Sequence, residues 1–597
     1  MLNPRTIALK LEHHLFKKQG AWLQKLVPAK TQAAIRRRMR AKYLLWDARK
    51  YRAWLDHQLQ SRKARYAGAL EPGLLSILTP VWDGTPLDYF RLLADSVTQQ
   101  NSGGAAEWVV LDNGCRNTEI LAFLETLKQQ HPWINVVRSA NNAGIIGGMR
   151  LCLEAASGRY ILPVDSDDWL YPDCLLIVTW WIRSQGYPPI LYTDEDKLIA
   201  AHAVQPYLKP DFDPILLLNS AYIAHLGVID RKLAIEHGAY ADKATEGSPD
   251  WDLFTRFYVA GLPAIHIPEV VYSWRMHPDS TADDAGSKPY IHSSQKAVLQ
   301  RYLDSTGLAA KYDIEYSPLL KNSCDWWLRR RHVDPWPVSF VSLVSGSTPA
   351  KQVLDYPNIH GHESNPFRTV RVSKRSATEY DDFQASPAAI PPTTTLQTLA
   401  ELIPANTDLL CLLSDDLEID RPDWLWEALS LFERFPDTVM VGARIRNRSG
   451  LIASAGSVLG FGSSSADFPD RGRPALDPGY FTQLMKQRSV SGVSSQFAVL
   501  KTSAVREIAQ QSPPNATVVM LGEWAAVWAL RNNKRIAYSP YLSAVSDIDW
   551  QALASQIELH AFQTANADLM PDRRFYPESF GNAPSSAYRL EHSLKSS

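Results

Sequence analysis

Between residues 74 and 170 the chain alternates short apolar runs with longer stretches of mixed, helix-compatible sequence. Leu74–Leu78 is the first run, stopped by Pro80 and followed by Trp82 and Asp83. Trp108–Leu111 is the second and ends in Asp112, Asn113 and Gly114. Tyr160–Leu162 is the third and leads into Val164-Asp165-Ser166-Asp167-Asp168-Trp169. Runs of this length separated by helical stretches predict an α/β class with parallel strands and crossover helices. Such sheets bind ligands outside the carboxyl ends of their strands, so Asp83, Asp112, Asn113 and the Asp165 cluster are expected at one edge.

Three carboxylates within four positions need an outside charge partner. Alternate residues of an extended chain face one side, so Asp165 and Asp167 are predicted to share a divalent cation. Hard oxygen ligands select magnesium or manganese, and two carboxylates leave positions open for a diphosphate. The competing reading is a solvated acidic turn at a strand end.

The C-terminal half repeats the pattern in fainter form. Leu409–Leu413 is apolar and is followed by Ser414-Asp415-Asp416 and then Pro422-Asp423, as Ser166-Asp167-Asp168 is followed by Pro172-Asp173. Pro337–Val344 supplies a new first strand, and Arg535–Tyr541 mirrors Ala264–Pro268. Self-similarity of this kind predicts a duplicated domain. The chemistry is eroded in the copy. Leu413 stands where Asp165 stands, Ser345-Gly346-Ser347 replaces the turn with Pro80 and Asp83, and Leu521-Gly522-Glu523-Trp524 covers the corresponding helix start. A fold persists without its site, so a degenerate domain that holds glycan is one reading and a second active site based on Glu523 is the other.

Composition narrows the classes. A chain of 597 residues exceeds a single compact core, and a net charge of −1 argues against nucleic acid as a partner. The five cysteines are scattered, odd in number and lack CxxC spacing, which indicates neither a disulfide framework nor a zinc site. Leu175–Ile182 is too short for a membrane span and reads as a buried segment, and no secretory leader is evident, so a cytoplasmic location is expected. Residues 1–50 hold thirteen Lys and Arg against two acids. This stretch reads either as a basic helical segment for an anionic lipid surface or as a helical extension with a solvated basic face. The resulting organisation is a basic helical region over 1–70, a first domain over 71–308, a connector over 309–336, a second domain over 337–560 and a tail over 561–597, weakly ordered after about Arg573.

Further segments complete a recognisable order: Leu191–Lys197 with three acids, Gly247-Ser248-Pro249-Asp250-Trp251-Asp252, and Trp274-Arg275-Met276-His277-Pro278-Asp279-Ser280-Thr281. Over residues 74–308 the chain resembles a family 2 glycosyltransferase with a GT-A fold, of the bacterial surface-polysaccharide type. The resemblance implies two tandem GT-A, Rossmann-like domains, the second degenerate, and transfer from a nucleotide-diphosphate sugar to a glycan or lipid-linked acceptor. It implies that Thr79, Pro80, Asp83, Asp112 and Asn113 bind the nucleotide and that Asp165 lies near the ribose or sugar. It places Asp167 and His277 on a manganese or magnesium ion and Arg275 near phosphate. Asp250 takes the place of the catalytic base, although an Asp after Ser248-Pro249 also suits a helix cap. One departure is Met149, with Arg150 beside it, where the family commonly has an Arg that approaches the diphosphate. Two other classes compete: a silent glycan-binding protein, and a nucleotidyltransferase, which here lacks a Gly-rich, Lys-containing phosphate loop.

Overall fold

The computed structural model describes residues 48–101, 103–199, 202–276, 289–320, 324–331, 338–343, 369–371, 388–421, 423–462 and 465–591. The basic stretch up to residue 47, His277, Ser280 and the turn at 345–347 lie outside them. The described residues fall into two compact units, one made of 48–310 with Ile314–Leu328 and 590–591, the other of Lys311–Asp313 with Arg329–Arg589.

The first unit is built on one sheet whose strands are β1 (Leu75–Val81), β2 (Glu107–Asn113), β3 (Ile134–Ser139), β4 (Tyr160–Pro163), β5 (Trp169–Leu170), β6 (Ile190–Ile199), β7 (His202–Tyr207), β8 (Gly227–Asp230) and β9 (Ala264–Met276). The order is β3-β2-β1-β4-β8-β6-β9-β5, with β7 beside β6. β1 runs parallel to β2 and β4, and β6 runs parallel to β9. β8 is antiparallel to β4 and β6. The carboxyl ends of β1, β2, β4, β6 and β9 therefore share one edge with the amino end of β8.

The apolar runs became strands because helices cover them on both faces, which is why they read as nearly unbroken hydrophobic stretches. Ile77, Trp108, Val110 and Leu162 join a core with Phe90, Leu93 and Val97 of α2 (Leu87–Gln100), Ile120 and Leu124 of α3 (Thr118–Gln130), and Leu175 and Val178 of α5 (Cys174–Ser184). The apolar positions of α2 and α3 recur three and four residues apart, the spacing that puts them on one helix face. α4 (Gly144–Ala155) packs on the alternate strand positions: a Cβ at Gly148 would lie 3.4 Å from the side chains of Leu111 and Pro80. As expected, Leu175–Ile182 is part of a buried helix, and among the described residues no helix is long and apolar enough to cross a membrane.

Helix α1 (Ala48–Arg65) belongs to this unit. Its Arg62 is 1% exposed, forms two 3.0 Å bonds to Asp173, reaches Glu269 at 3.4 Å and donates to the Val270 carbonyl at 2.8 Å. Tyr51 donates to Asp196 at 2.6 Å. Arg62 is thus an internal charge: its guanidinium fork pairs half-buried Asp173 and buried Glu269, which Tyr66 and Arg65 also contact. Removing one partner of a buried pair typically costs about 3–5 kcal/mol. Arg62→Ala should lower the stability of the first unit by that order in a urea titration, and a change within about 0.5 kcal/mol, the level of ordinary surface sites, would contradict this role.

The second unit repeats the sheet. Its order is Thr369–Arg371, Val338–Leu343, Leu409–Ser414, Phe497–Lys501, Thr438–Arg446, Arg535–Val545, Glu418–Ile419. The strands at 338 and 409 are parallel, as are those at 438 and 535, and the strand at 497 is antiparallel to both of its neighbours. These senses match β1–β4, β6–β9 and β8 one for one, so the two-sheet α/β architecture expected from the repeated motif is present.

Two stretches differ from expectation. Within 309–336, read as a surface connector, Tyr312–Tyr316 and Trp326–Arg330 form strands, and Trp326, Trp327 and Leu328 are buried because their apolar area outweighs the flanking charges. The tail, read as weakly ordered, is packed as far as its described residues extend. Tyr576 and Phe580 are each 1% exposed, and Tyr588 donates to Asp470 at 2.9 Å. Three aromatics anchor a segment whose Ser, Asn and Pro content suggested otherwise.

Candidate active site

β4 ends at Pro163, and Asp165–Asp168 is a turn in which the Asp168 N–H donates to the Asp165 carbonyl at 3.3 Å. The extended alternation expected to aim Asp165 and Asp167 together is therefore absent. The turn instead brings an oxygen of exposed Asp165, an oxygen of fully buried Asp168 and a ring nitrogen of His225 within 4.8 Å of one another. Carboxylate oxygens suit hard divalent cations and neutral imidazole is a common ligand, so this donor set fits magnesium or manganese.

Neighbouring residues hold the turn rigidly. Tyr272 donates to one Asp168 oxygen, and the Arg275 N–H donates to the other at 2.7 Å. The Arg275 Nε donates to the Asp167 carbonyl at 2.6 Å, and its guanidinium lies 4.6 Å from the centre of the Tyr89 ring. Arg275 Nη2 is buried without a hydrogen-bond partner. His225 is stacked on Tyr272 with centroids 4.9 Å apart. Burial pushes the Asp168 carboxyl well above the usual range, and the charges of Asp165 and Asp167 push it further, as expected where a compensating cation belongs. No motif surrounds His225 in the sequence. Its position depends on β8 entering the sheet from this edge.

Asp250 is the second residue of α6 (Pro249–Val259). The helix starts there because Pro249 presets its first turn and Trp251, 1% exposed, donates from its indole to the Leu217 carbonyl at 2.7 Å. Ser248 occupies the N-cap without a side-chain cap bond, and Asp250 accepts no hydrogen bond from any described residue. Capping therefore does not account for the carboxylate. Burial pushes it above its ordinary value while His225 pulls it back. Asp252 is differently engaged: it is buried, bonded to Arg256 at 2.9 Å and also to Arg301. Tyr240, missed by sequence reasoning, has a buried hydroxyl without a partner in the field of Asp250 and Asp165. Its φ of +56° is rare for an aromatic residue.

The remaining candidates shape two loops at the same edge. Thr79 is buried and accepts from the Trp108 indole at 3.0 Å. Exposed Asp83 accepts from the N–H groups of Arg116 and Asn117 at 2.6 and 2.9 Å, which hold its carboxyl below the usual range. Asp112 accepts from the Cys115 N–H at 2.8 Å, and Asn113 from the Ala143 N–H at 2.9 Å. Gly114 has φ +73°, and a Cβ there would lie 2.5 Å from the Asn141 carbonyl carbon, so only glycine lets these loops meet. Met149 is buried in α4, and Arg150 pairs with Glu154 at 3.0 Å. Neither takes the place of the missing Arg.

On β6, Asp194 accepts from the Lys209 N–H at 2.7 Å and lies 2.8 Å from His266 Nε2. Burial opposes charge on His266, but Asp194 and Asp211 outweigh it and raise the imidazole to about 8. A histidine raised above its unfolded value of about 6.5 stabilises fully below that pH and loses the contribution as pH rises through about 8. The loss should amount to about 2 kcal/mol. Thermal unfolding of the wild type should show this decline, and His266→Gln should abolish it. An unchanged profile in the variant would refute the assignment.

In the second unit, the Ser414 and Ser546 hydroxyls occupy the two Asp416 oxygens at 2.6 and 2.5 Å. Leu413 is packed inside at 2% exposure. A Cβ at Gly522 would lie 2.0 Å from the Val493 carbonyl oxygen, and the next residue, Glu523, keeps a carboxyl that burial pushes up to about 7.

Residues 76–186 match the family model described as Glycosyl transferase family 2. The chain is 28% identical over 477 residues to the uncharacterized protein y4gI of Sinorhizobium fredii, covering 74% of this chain and 50% of that one. It is 25% identical over 420 residues to the O-antigen biosynthesis protein RfbC of Myxococcus xanthus, covering 65% of this chain and 30% of that one. The chain thus spans half or less of these relatives. Among solved structures, S. aureus TarS 1-349 in complex with UDP-GlcNAc aligns with TM-score 0.32 at 18% identity, over 39% of this chain and 66% of that one. GalNAc-T7 with UDP, GalNAc and Mn2+ aligns with TM-score 0.31 at 13% identity, over 39% and 48%. The segment that carries β1 to β5 and the acidic turn is thus similar to family 2 glycosyltransferases.

Proposed function

We propose that the chain transfers a sugar from a nucleotide-diphosphate sugar to a hydroxyl of a glycan or lipid-linked acceptor, inverting the anomeric centre, in surface-polysaccharide synthesis. One observation carries this reading: Asp250, a carboxylate with no hydrogen bond among the described residues, lies in the field of the same His225 that joins Asp165 and Asp168. Asp250 takes the proton of the acceptor hydroxyl as attack proceeds. Asp165, Asp168 and His225 are the residues that would hold a manganese or magnesium ion, and Asp167 and His277 are further ligands on the strength of the family resemblance. When bound, such an ion stabilises negative charge on a departing diphosphate. Arg275 offers its unpartnered Nη2 to the same phosphate. The loops of Thr79, Pro80, Asp83, Asp112 and Asn113 receive the nucleotide. The relative named for O-antigen biosynthesis supports the polysaccharide setting, and the basic residues of 1–50 suit a peripheral position on the cytoplasmic face of an anionic membrane.

The second unit is catalytically silent in this account, because Leu413 and the occupied Asp416 remove the metal ligands that a base at Glu523 would need beside it. Incubating the full chain with a panel of nucleotide sugars, manganese and lipid-linked acceptor should release nucleoside diphosphate from at least one donor. Asp415→Asn combined with Asp416→Asn should leave that rate within about twofold, since neither group touches the reacting atoms. Absence of release from every donor would refute the transferase reading, and loss of one of two product linkages in the double variant would reveal a second active site.

A further inference from the structure

The second unit contains a cleft that the transfer chemistry does not use. Asn447 and Ser546–Gln551 follow directly from the carboxyl ends of the parallel strands Thr438–Arg446 and Arg535–Val545, and with neighbouring residues they enclose a cavity of about 200 Å³. Parallel sheets bind ligands at this edge, and in the first unit the corresponding edge carries Asp165.

The lining is unlike that of a nucleotide site. It sets two carboxylates, Asp547 and Asp549, against one guanidinium, Arg471. Arg471 is already bonded to Asp467 at 2.9 Å and to Asp549 at 3.4 Å, and Asp547 is bonded to Arg448 at 2.9 Å. A phosphate entering here would meet negative charge, and among the described lining residues the guanidinium of Arg471 is already engaged. What remains is neutral and polar. Ser454 is 3% exposed, lines the cavity, and has a hydroxyl without a hydrogen-bond partner. A buried hydroxyl in that state is destabilising until a ligand satisfies it. Gln496 uses its side-chain N–H on the Ser546 hydroxyl at 2.6 Å, which leaves its carboxamide oxygen as an acceptor. Phe468 and Trp550 add apolar wall. The volume lies below the roughly 300–1,000 Å³ of pockets that take drug-sized molecules, so it suits one ring and excludes a nucleotide sugar.

We infer that this cleft binds one neutral sugar ring through the Ser454 hydroxyl and the Gln496 carboxamide. Its identity as a residue of the acceptor glycan rests on the transferase reading, whereas the binding itself does not. Saturation-transfer NMR on the full chain tests it, using methyl glycosides of glucose, galactose, N-acetylglucosamine and rhamnose with excess uridine diphosphate to fill the first unit. At least one glycoside should give a signal that persists in the nucleotide and in Asp250→Asn. Ser454→Ala and Ser454→Val should each weaken it about tenfold or more, as expected for a lost buried hydrogen bond. Both variants should fold, because the hydroxyl they remove has no partner in the protein, and an unchanged unfolding midpoint verifies this. No signal in excess nucleotide, a signal equal in the Ser454 variants, or displacement of the glycoside by the nucleotide would each overturn the inference. Loss of transfer with retained glycoside binding in Asp250→Asn would support it and separates its fate from that of the active site.

Discussion

Asp250→Asn should lower kcat by about 10²-fold or more while leaving donor binding intact, because the amide keeps the carboxylate's shape but cannot accept the acceptor proton. The native carboxylate has the properties of a base held ready: it accepts no hydrogen bond among the described residues, and burial raises its proton affinity. The sign of the pH dependence follows. A base works deprotonated, so kcat/KM should fall as pH drops through a value above the ordinary carboxylate range, and this acid limb should vanish in the variant. Asp252→Asn should behave differently. It breaks bonds to Arg256 and Arg301, so its main effect falls on stability rather than on the acid limb. Near-normal turnover in Asp250→Asn would exclude it as the base.

Chelation should have the other large effect. EDTA should abolish nucleotide release, and manganese should restore it, because burial and the neighbouring charges of Asp165 and Asp167 all disfavour charge on Asp168, a state that a bound cation relieves. Asp165→Ala is the informative substitution. Asp165 is the exposed member of the group, so its removal should weaken metal binding without unfolding the turn, whereas Asp168 also anchors Tyr272 and the Arg275 backbone. Full activity in EDTA would show that charge is balanced by protein groups alone.

The parallel strands β1, β2 and β4 were readable in the sequence, because they are buried on both faces and so appear as unbroken apolar runs, whereas the strand order and the antiparallel β8 were not. The duplicated sheet was readable for the same reason. The internal geometry of the acidic turn was not. Strand alternation paired Asp165 with Asp167, but the chain leaves the strand at Pro163, and a turn closed from Asp168 to Asp165 sets a different pair together. His225 and Tyr240 left no local signal, since each reaches the site through sheet topology rather than through neighbours in sequence. Arg62 in α1 likewise left no local signal, since its partners Asp173 and Glu269 come from distant parts of the chain. The tail was misjudged on composition, which does not register three aromatics placed to meet one another.

The most direct test of one active site in the first unit is manganese anomalous diffraction from crystals of the full chain grown with Mn2+ and uridine diphosphate. The account predicts an anomalous peak bound by Asp165 and the diphosphate, with the nucleotide lying along the loops of Asp83 and Asp112. A peak at Asp415 or Asp416, or nucleotide density in the second unit's cleft, would contradict it.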